Sequence, residues 1–300
     1  MGTKFKFWYR DPKMGPCLYK EARPETGEDW AERVAADLAD LLGLPHAKYE
    51  LAIWNDKPGV VSPRLLSEDC ALILGNELMM KLVPGYADST PSGRRFYHVS
   101  KHTIDTVLSI NDSEHDGVHV VRTPVGFETS ADFSTAADVF VGYLLLDAWI
   151  ANTDRHHENW GWVVAPQKGA ASRLHLAPTF DHASSLGAHE NDDNRRERLT
   201  TKDRGRSMER YVEKARSALY ATEGERRPLG TAAAFEKAAR RYPKSGRAWL
   251  RRLAGISPED TSAILRRIPR ERVSEVGIDF AQAILNLNRD RLVCLLEQRL

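Results

Sequence analysis

Asp154 and Asn159 stand five residues apart in the run Asp-Arg-His-His-Glu-Asn, and Asp181 closes the run Pro-Thr-Phe-Asp downstream. A carboxylate, an amide oxygen and a second carboxylate are what phosphoryl transfer asks of a protein. That reaction needs one carboxylate beside the attacking hydroxyl, hard oxygen ligands for a Mg²⁺ bridging the phosphates of ATP, and a cation on the phosphate chain. In this scheme Asp154 orients and deprotonates the hydroxyl. Asn159 and Asp181 hold the metal.

Each residue alone has a plainer reading: Asp154 could cap a helix end, and Asn159 and Asp181 could be turn residues. Their value lies in the set. His156, His157, His175 and His182 crowd the same stretch, but they form no His-x-x-x-His pair and have no cysteine partner, so zinc is not the expectation. His156 is instead expected to brace the loop by hydrogen bonds. Asp147 lies on an apolar helical stripe just upstream, where a carboxylate either tilts into solvent or finds partners, and the backbone of the Asp154 loop is the expected partner. Trp160 and Trp162 read as core.

The elements that position these residues follow from periodicity. Lys4 to Arg10 alternates aromatically like a strand, and Cys17 to Lys20 resumes extended structure after a turn. A helix is expected after Thr26, with Asp29 completing a capping box. It presents Trp30, Val34, Leu38 and Leu41/Leu42 on one stripe and stops at Gly43. Tyr49 to Trp54 is the next strand. Residues 56 to 133 are rich in Gly and Pro, as at Pro91-Ser92-Gly93, with apolar runs at Ala71 to Leu74 and Val118 to Val121. Ser134 is expected to cap a helix that runs into Asn152. Gly161 to Ala165 and Leu174 to Leu176 form a hairpin that returns Asp181 to Asp154. Glu190 to Arg206 is so polar that it reads as a mobile loop, and the rest as helices: Met208 to Tyr220, Gly230 to Tyr242, Gly246 to Ala254, Pro258 to Arg267 and Phe280 to Leu296. The expected fold class is α+β, bilobal, with a small β-rich lobe over residues 1–80 and a larger helical lobe over 81–300.

Asn152 to Trp160, Leu176 to Asp181 and Ser184 to Gly187 together closely resemble the catalytic core of HipA-like kinases. The Asp-Arg-His-x-x-Asn portion is also similar to phosphatidylinositol 3/4-kinases, and the Asp154 to Asn159 interval equals that of the kinase catalytic loop. The resemblance implies a protein-kinase-like fold with Ser/Thr protein kinase activity, ATP and Mg²⁺ as cofactors, and a protein substrate. It makes Lys20 the lysine on the ATP phosphates, Glu32 its helix partner, Gly2-Thr3-Lys4 an abbreviated phosphate loop, and Glu77, Leu78 and Met79 the adenine hinge. Gly59-Val60-Val61-Ser62 and Gly75-Asn76-Glu77-Leu78 match following segments. An antitoxin-like inhibitor protein is an implied partner, although the sequence opens almost at the phosphate loop, where toxin-type members carry a further N-terminal domain. Glu158 stands where a basic residue often occurs. A nucleotide-binding pseudokinase and a lipid or small-molecule kinase remain alternatives.

Bulk properties fit these readings. The 300 residues carry 43 Lys/Arg against 42 Asp/Glu, a net charge of +1 that conceals a basic C-terminal third and an acidic remainder. The basic charges are interleaved with acidic ones on helix-like segments, so direct nucleic-acid contact is not expected. Three separated cysteines, no signal peptide and no long apolar run suggest a cytoplasmic protein without membrane contact.

Overall fold

A computed structural model describes residues 4–87, 99–112 and 120–297. Gly2-Thr3 and Pro91-Ser92-Gly93 lie outside the described residues, as do Val118 and His119 of the Val118 to Val121 run.

The chain opens with a hairpin of β1 (Lys6–Asp11) and β2 (Gly15–Glu21), then α1 (Glu28–Leu42), then a second hairpin of β3 (Glu50–Trp54) and β4 (Lys57–Pro63). These strands form one antiparallel sheet in the order β1-β2-β4-β3. Lys20 sits opposite Lys6 and Val60, so it shares a face with Val60, which packs with Ala36 of α1 and Tyr49. The opposite face carries an aromatic row through Phe5, Phe7, Tyr19 and Trp54. Gly59 makes that row possible, because a Cβ there would lie 2.9 Å from the Tyr19 ring and 2.3 Å from Lys20 O.

The helix α1 stops at Gly43, whose φ of 69° suits glycine and whose N–H bonds to Ala39 and Asp40 carbonyls. Its start differs from expectation. Gly27 occupies the cap position without a side-chain bond, and Thr26 donates instead to Arg23 O, so no capping box forms. Leu42 is buried and Leu41 is exposed.

A second sheet, in the order β5-β7-β8-β6, joins β5 (Ala71–Leu74) and β6 (Val121–Arg122) to the hairpin of β7 (Gly161–Gln167) and β8 (Ala170–Leu176). Because β5 pairs with β7, residues 71–74 join the second sheet rather than the first. Between these strands lie α2 (Gly75–Leu82), α3 (Ile104–Ile110) and α4 (Ala136–Trp149). Every residue of α4 but Asp138 is buried. Its cap is Thr135 rather than Ser134: Thr135 Oγ1 accepts from Asp138 N while Asp138 accepts from Thr135 N.

The remainder is helical: α5 (Asp192–Thr200), α6 (Met208–Lys214), α7 (Thr231–Arg241), α8 (Pro243–Ala254), α9 (Pro258–Leu265) and α10 (Glu275–Val293), with a 3-10 turn at Cys294–Leu296. Within the expected mobile loop, residues 192–200 form α5. Asn191 caps it, and the i,i+3 pairs Asp192 with Arg195 and Asp193 with Arg196 run along it. The expected helix to Tyr220 ends at Lys214, and α10 begins at Glu275, capped by Ser274, rather than at Phe280. One large core runs from Trp30 and Leu38 of α1 through Phe140 and Trp149 of α4 to Trp249 of α8 and Leu285 of α10. Among the described residues no helix is long and apolar enough to cross a membrane.

Candidate active site

Three segments meet below the first sheet. The loop after α4 carries Asp154 to Asn159, the loop after β8 carries Thr179 to Gly187, and α1 offers Glu32 from above. Backbone bonds stitch them together. Thr153 N donates to Ser184 O at 3.1 Å, Leu186 N to Ile150 O at 2.9 Å and Gly27 N to Ala188 O at 2.8 Å. Gly75, the first residue of α2, donates to Trp160 O at 2.8 Å. A Cβ at this position would stand 2.6 Å from His157 O, so only glycine allows that approach.

Arg155 is the hub that sequence reasoning left without a role. It is 1% exposed and forks onto Asp147 of α4, Nε to Oδ2 at 2.7 Å and Nη2 to Oδ1 at 2.8 Å. Nη1 donates to Asn159 O at 2.7 Å, and Nη2 also reaches Thr179 Oγ1 at 2.9 Å. Asn152 adds an amide bond to Asp147 Oδ1 at 2.8 Å. Asp147 therefore finds its partners in two side chains rather than in the loop backbone expected for it. A bidentate arginine to carboxylate pair is among the strongest such contacts, and it fixes the loop geometry from beneath.

Above this hub, the Asn159 side chain donates to Asp154 O at 2.7 Å, and His156 Nδ1 accepts from Glu158 N at 3.1 Å, the bracing role expected of it. Burial pushes His156 down to about 4, so it is a neutral acceptor near neutral pH. Trp160 and Trp162 are core residues, donating to His102 and Asn111.

Asp181 adopts φ 60°, a left-handed conformation that costs a non-glycine residue energy and clusters at functional sites. Its N–H donates to Tyr49 Oη at 3.3 Å, and Lys20 Nζ stands 3.7 Å from Oδ2. Burial alone would raise its carboxyl, but Lys20 and then Lys4 hold it below the usual range. Asp154 behaves oppositely: burial first, then the neighbouring Asp181 charge, push it up to about 6. Two carboxylates in one site thus have acidities driven apart.

Lys20 points to Asp181, not to Glu32 as expected; no direct ion pair joins Lys20 and Glu32. Glu32 is 1% exposed and accepts His182 N–H at 2.8 Å, so it holds the backbone beside Asp181. Burial raises it to about 7 although Lys20 opposes the shift. Lys4, Lys20, Glu28 and Glu32 nevertheless line one cavity, where Lys4 Nζ lies 2.9 Å from Glu28. Glu77, Leu78 and Met79, expected as the adenine hinge, are helical. They lie inside α2, with Leu78 and Met79 in the core, because β5 passes directly into the helix at Gly75.

No family model matches the sequence, and no curated protein does. Among solved structures, the chain is similar to the Helicobacter pylori proinflammatory kinase CtkA, with a TM-score of 0.69 and 18% identity over 99% of this chain and 91% of that one. It is also similar to the structure of the Shewanella oneidensis MR-1 toxin–antitoxin system of HipA, HipB and operator DNA, at TM-score 0.55 and 12% identity over 99% of this chain and 66% of that one. The chain shares the bilobal kinase-like fold common to both.

Proposed function

We propose that this HipA-like kinase fold works as an ATP- and Mg²⁺-dependent phosphotransferase acting on Ser or Thr of a protein. The observation that carries the reading is the meeting of Lys20 and Asp181 at 3.7 Å beside an Asp154 whose carboxyl sits near 6. In this reading Lys20 serves as the phosphate cation, Asp181 as the metal carboxylate and Asp154 as the base.

The residues fit the metal. Asp181 and Asn159 offer hard oxygens, and Asp181 keeps its side chain 37% exposed. Among the described residues no group of three or more His, Cys, Asp or Glu could hold a metal ion, so further ligands would come from phosphates and water, as Mg²⁺ prefers. When bound, Mg²⁺ neutralises charge developing on the phosphate oxygens.

The chain's own residues do the rest. Lys20 and Lys4 attract and steady the phosphate chain, Asp154 orients the acceptor hydroxyl and takes its proton, and Arg155 keeps both loops in place. Glu32, by gripping the His182 amide, sets the height of Asp181.

ATP turnover and autophosphorylation test this. Asp154→Ala and Asp181→Ala should each lower turnover by about a hundredfold or more, the scale of losing one preorganised electrostatic group. Turnover that survives both would sink the assignment, and tight ATP binding without turnover in the wild type would point to a pseudokinase. Phosphoproteomics after brief expression of wild type beside Asp154→Ala identifies the acceptor.

A further inference from the structure

β1 is an outer strand of the first sheet. The order β1-β2-β4-β3 leaves one side of Lys6–Asp11 without a neighbouring strand, and among the described residues no backbone hydrogen bond is made on that side. A strand edge of this kind presents alternating N–H and C=O groups ready to pair.

The side chains around the edge are unusual for one that meets only water. Phe7 and Tyr9 lie on one face, 6.1 Å apart, as the outermost members of the aromatic row that crosses the sheet to Trp54, and Phe5 beside them is 49% exposed. On the other face Trp8 is 59% exposed between Lys6 and Arg10, neither of which has an ion-pair partner among the described residues. The apolar row therefore ends in half-covered rings at the same edge where unpaired backbone and unpaired cations stand.

Charge selects the occupant. Two copies of β1 joined antiparallel with Trp8 opposite Trp8 would set Lys6 opposite Arg10 on both sides, and like charges directly opposite destabilise a ladder. The same cations favour an acidic strand. We propose that the outer edge of β1 takes an extended segment of a protein partner as an added antiparallel strand. Acidic residues of the segment stand opposite Lys6 and Arg10, and β-branched or aromatic residues opposite Phe7 and Tyr9. Because β1 pairs with β2, a segment bound here lies one strand away from Lys20. The inference does not depend on phosphotransfer.

A fluorescent peptide, Thr-Glu-Val-Tyr-Val-Glu-Thr, titrated into the full chain tests it by anisotropy. Saturable binding is expected. N-methylation of the amides on one side of the peptide should abolish binding, while methylation on the other side leaves it intact. Lys6→Glu with Arg10→Glu should weaken the acidic peptide by about tenfold, the sum expected for two reversed cross-strand pairs, and gain affinity for the version with Lys in place of Glu. Trp8→Lys, checked by thermal melting to be folded, should weaken binding as well. Absence of saturable binding, indifference to N-methylation on both sides, or equal binding by the charge-reversed chain would overturn the proposal. So would sedimentation showing that wild type pairs with itself through this edge and that Trp8→Lys is monomeric.

Discussion

Arg155 is the residue on which α4 and the two site loops close. Replacing it with Lys keeps the charge but loses the fork that spans both Asp147 oxygens and reaches Asn159 O and Thr179. Asp147, 3% exposed, would keep a poorly matched partner, so Arg155→Lys should cost about 3 kcal/mol in urea unfolding, at the lower end of what breaking a buried pair costs. A loss under about 1 kcal/mol would show that the hub is not structural. Asp154 carries a pH prediction. With its carboxyl at about 6, the ionised base is gained as pH rises through that value, so kcat/KM should climb between pH 5 and 7 and then level; a flat profile would remove Asp154 as base. The stability sign follows from the same shift. The folded value lies above the unfolded one of about 3.9, so stability is present in full at low pH and is lost as pH rises from about 4 to 6. Asp154→Asn should then melt no lower than wild type at pH 7, even as activity falls. At this scale the sequence was most legible where spacing is local. Asp154, Asn159 and Asp181 could be singled out because one loop and one hairpin bring them together. The partner of Lys20 could not, since Glu32 lies close to it in sequence and Asp181 far away, and only the tertiary fold brings Asp181 to the lysine.

Elements were legible where hydrophobic periodicity was strong and misread where local polar bonds did the work. The β7 and β8 hairpin and the body of α4 follow directly from their apolar patterns. By contrast, α5 has almost no apolar residues, and it forms through the Asn191 cap and its i,i+3 ion pairs. The helical state of Glu77 to Met79 was illegible for a different reason: the segment follows a strand directly, and Gly75 allows the chain to enter a helix immediately against Trp160. The cap of α4 tests how finely such bonds matter. Thr135 and Ser134 are adjacent and chemically alike, yet only Thr135 Oγ1 accepts a helix N–H. Thr135→Ala should cost about 1 kcal/mol and Ser134→Ala only a few tenths, measured by thermal or urea unfolding. Equal effects would place the helix start elsewhere.

Across the whole molecule, the two lobes are not held together by the cleft alone. The core that includes Trp30 and Leu38 of α1 continues without interruption into α4, α8 and α10, and Arg252 of α8 donates to Leu42 O at 2.9 Å. Arg272, in the turn before α10, pairs with the buried Asp29 of α1 at 2.5 Å and donates to Ala52 O of β3 at 2.7 Å. A lobe joined this way cannot melt while its neighbour stays folded, because opening α1 would expose half of a shared core and strand Asp29 without its cation. Urea unfolding followed by Trp fluorescence and by far-ultraviolet circular dichroism should therefore give coincident single transitions, and the calorimetric enthalpy should equal the van't Hoff value. Arg272→Ala should lower the midpoint and, by loosening the first sheet from the helices, separate the two probes. Two resolved transitions in the wild type would mean that the lobes are independent. In that case Glu32 could not hold Asp181 at a fixed height through the His182 amide, and the site would have to assemble on ligand binding instead.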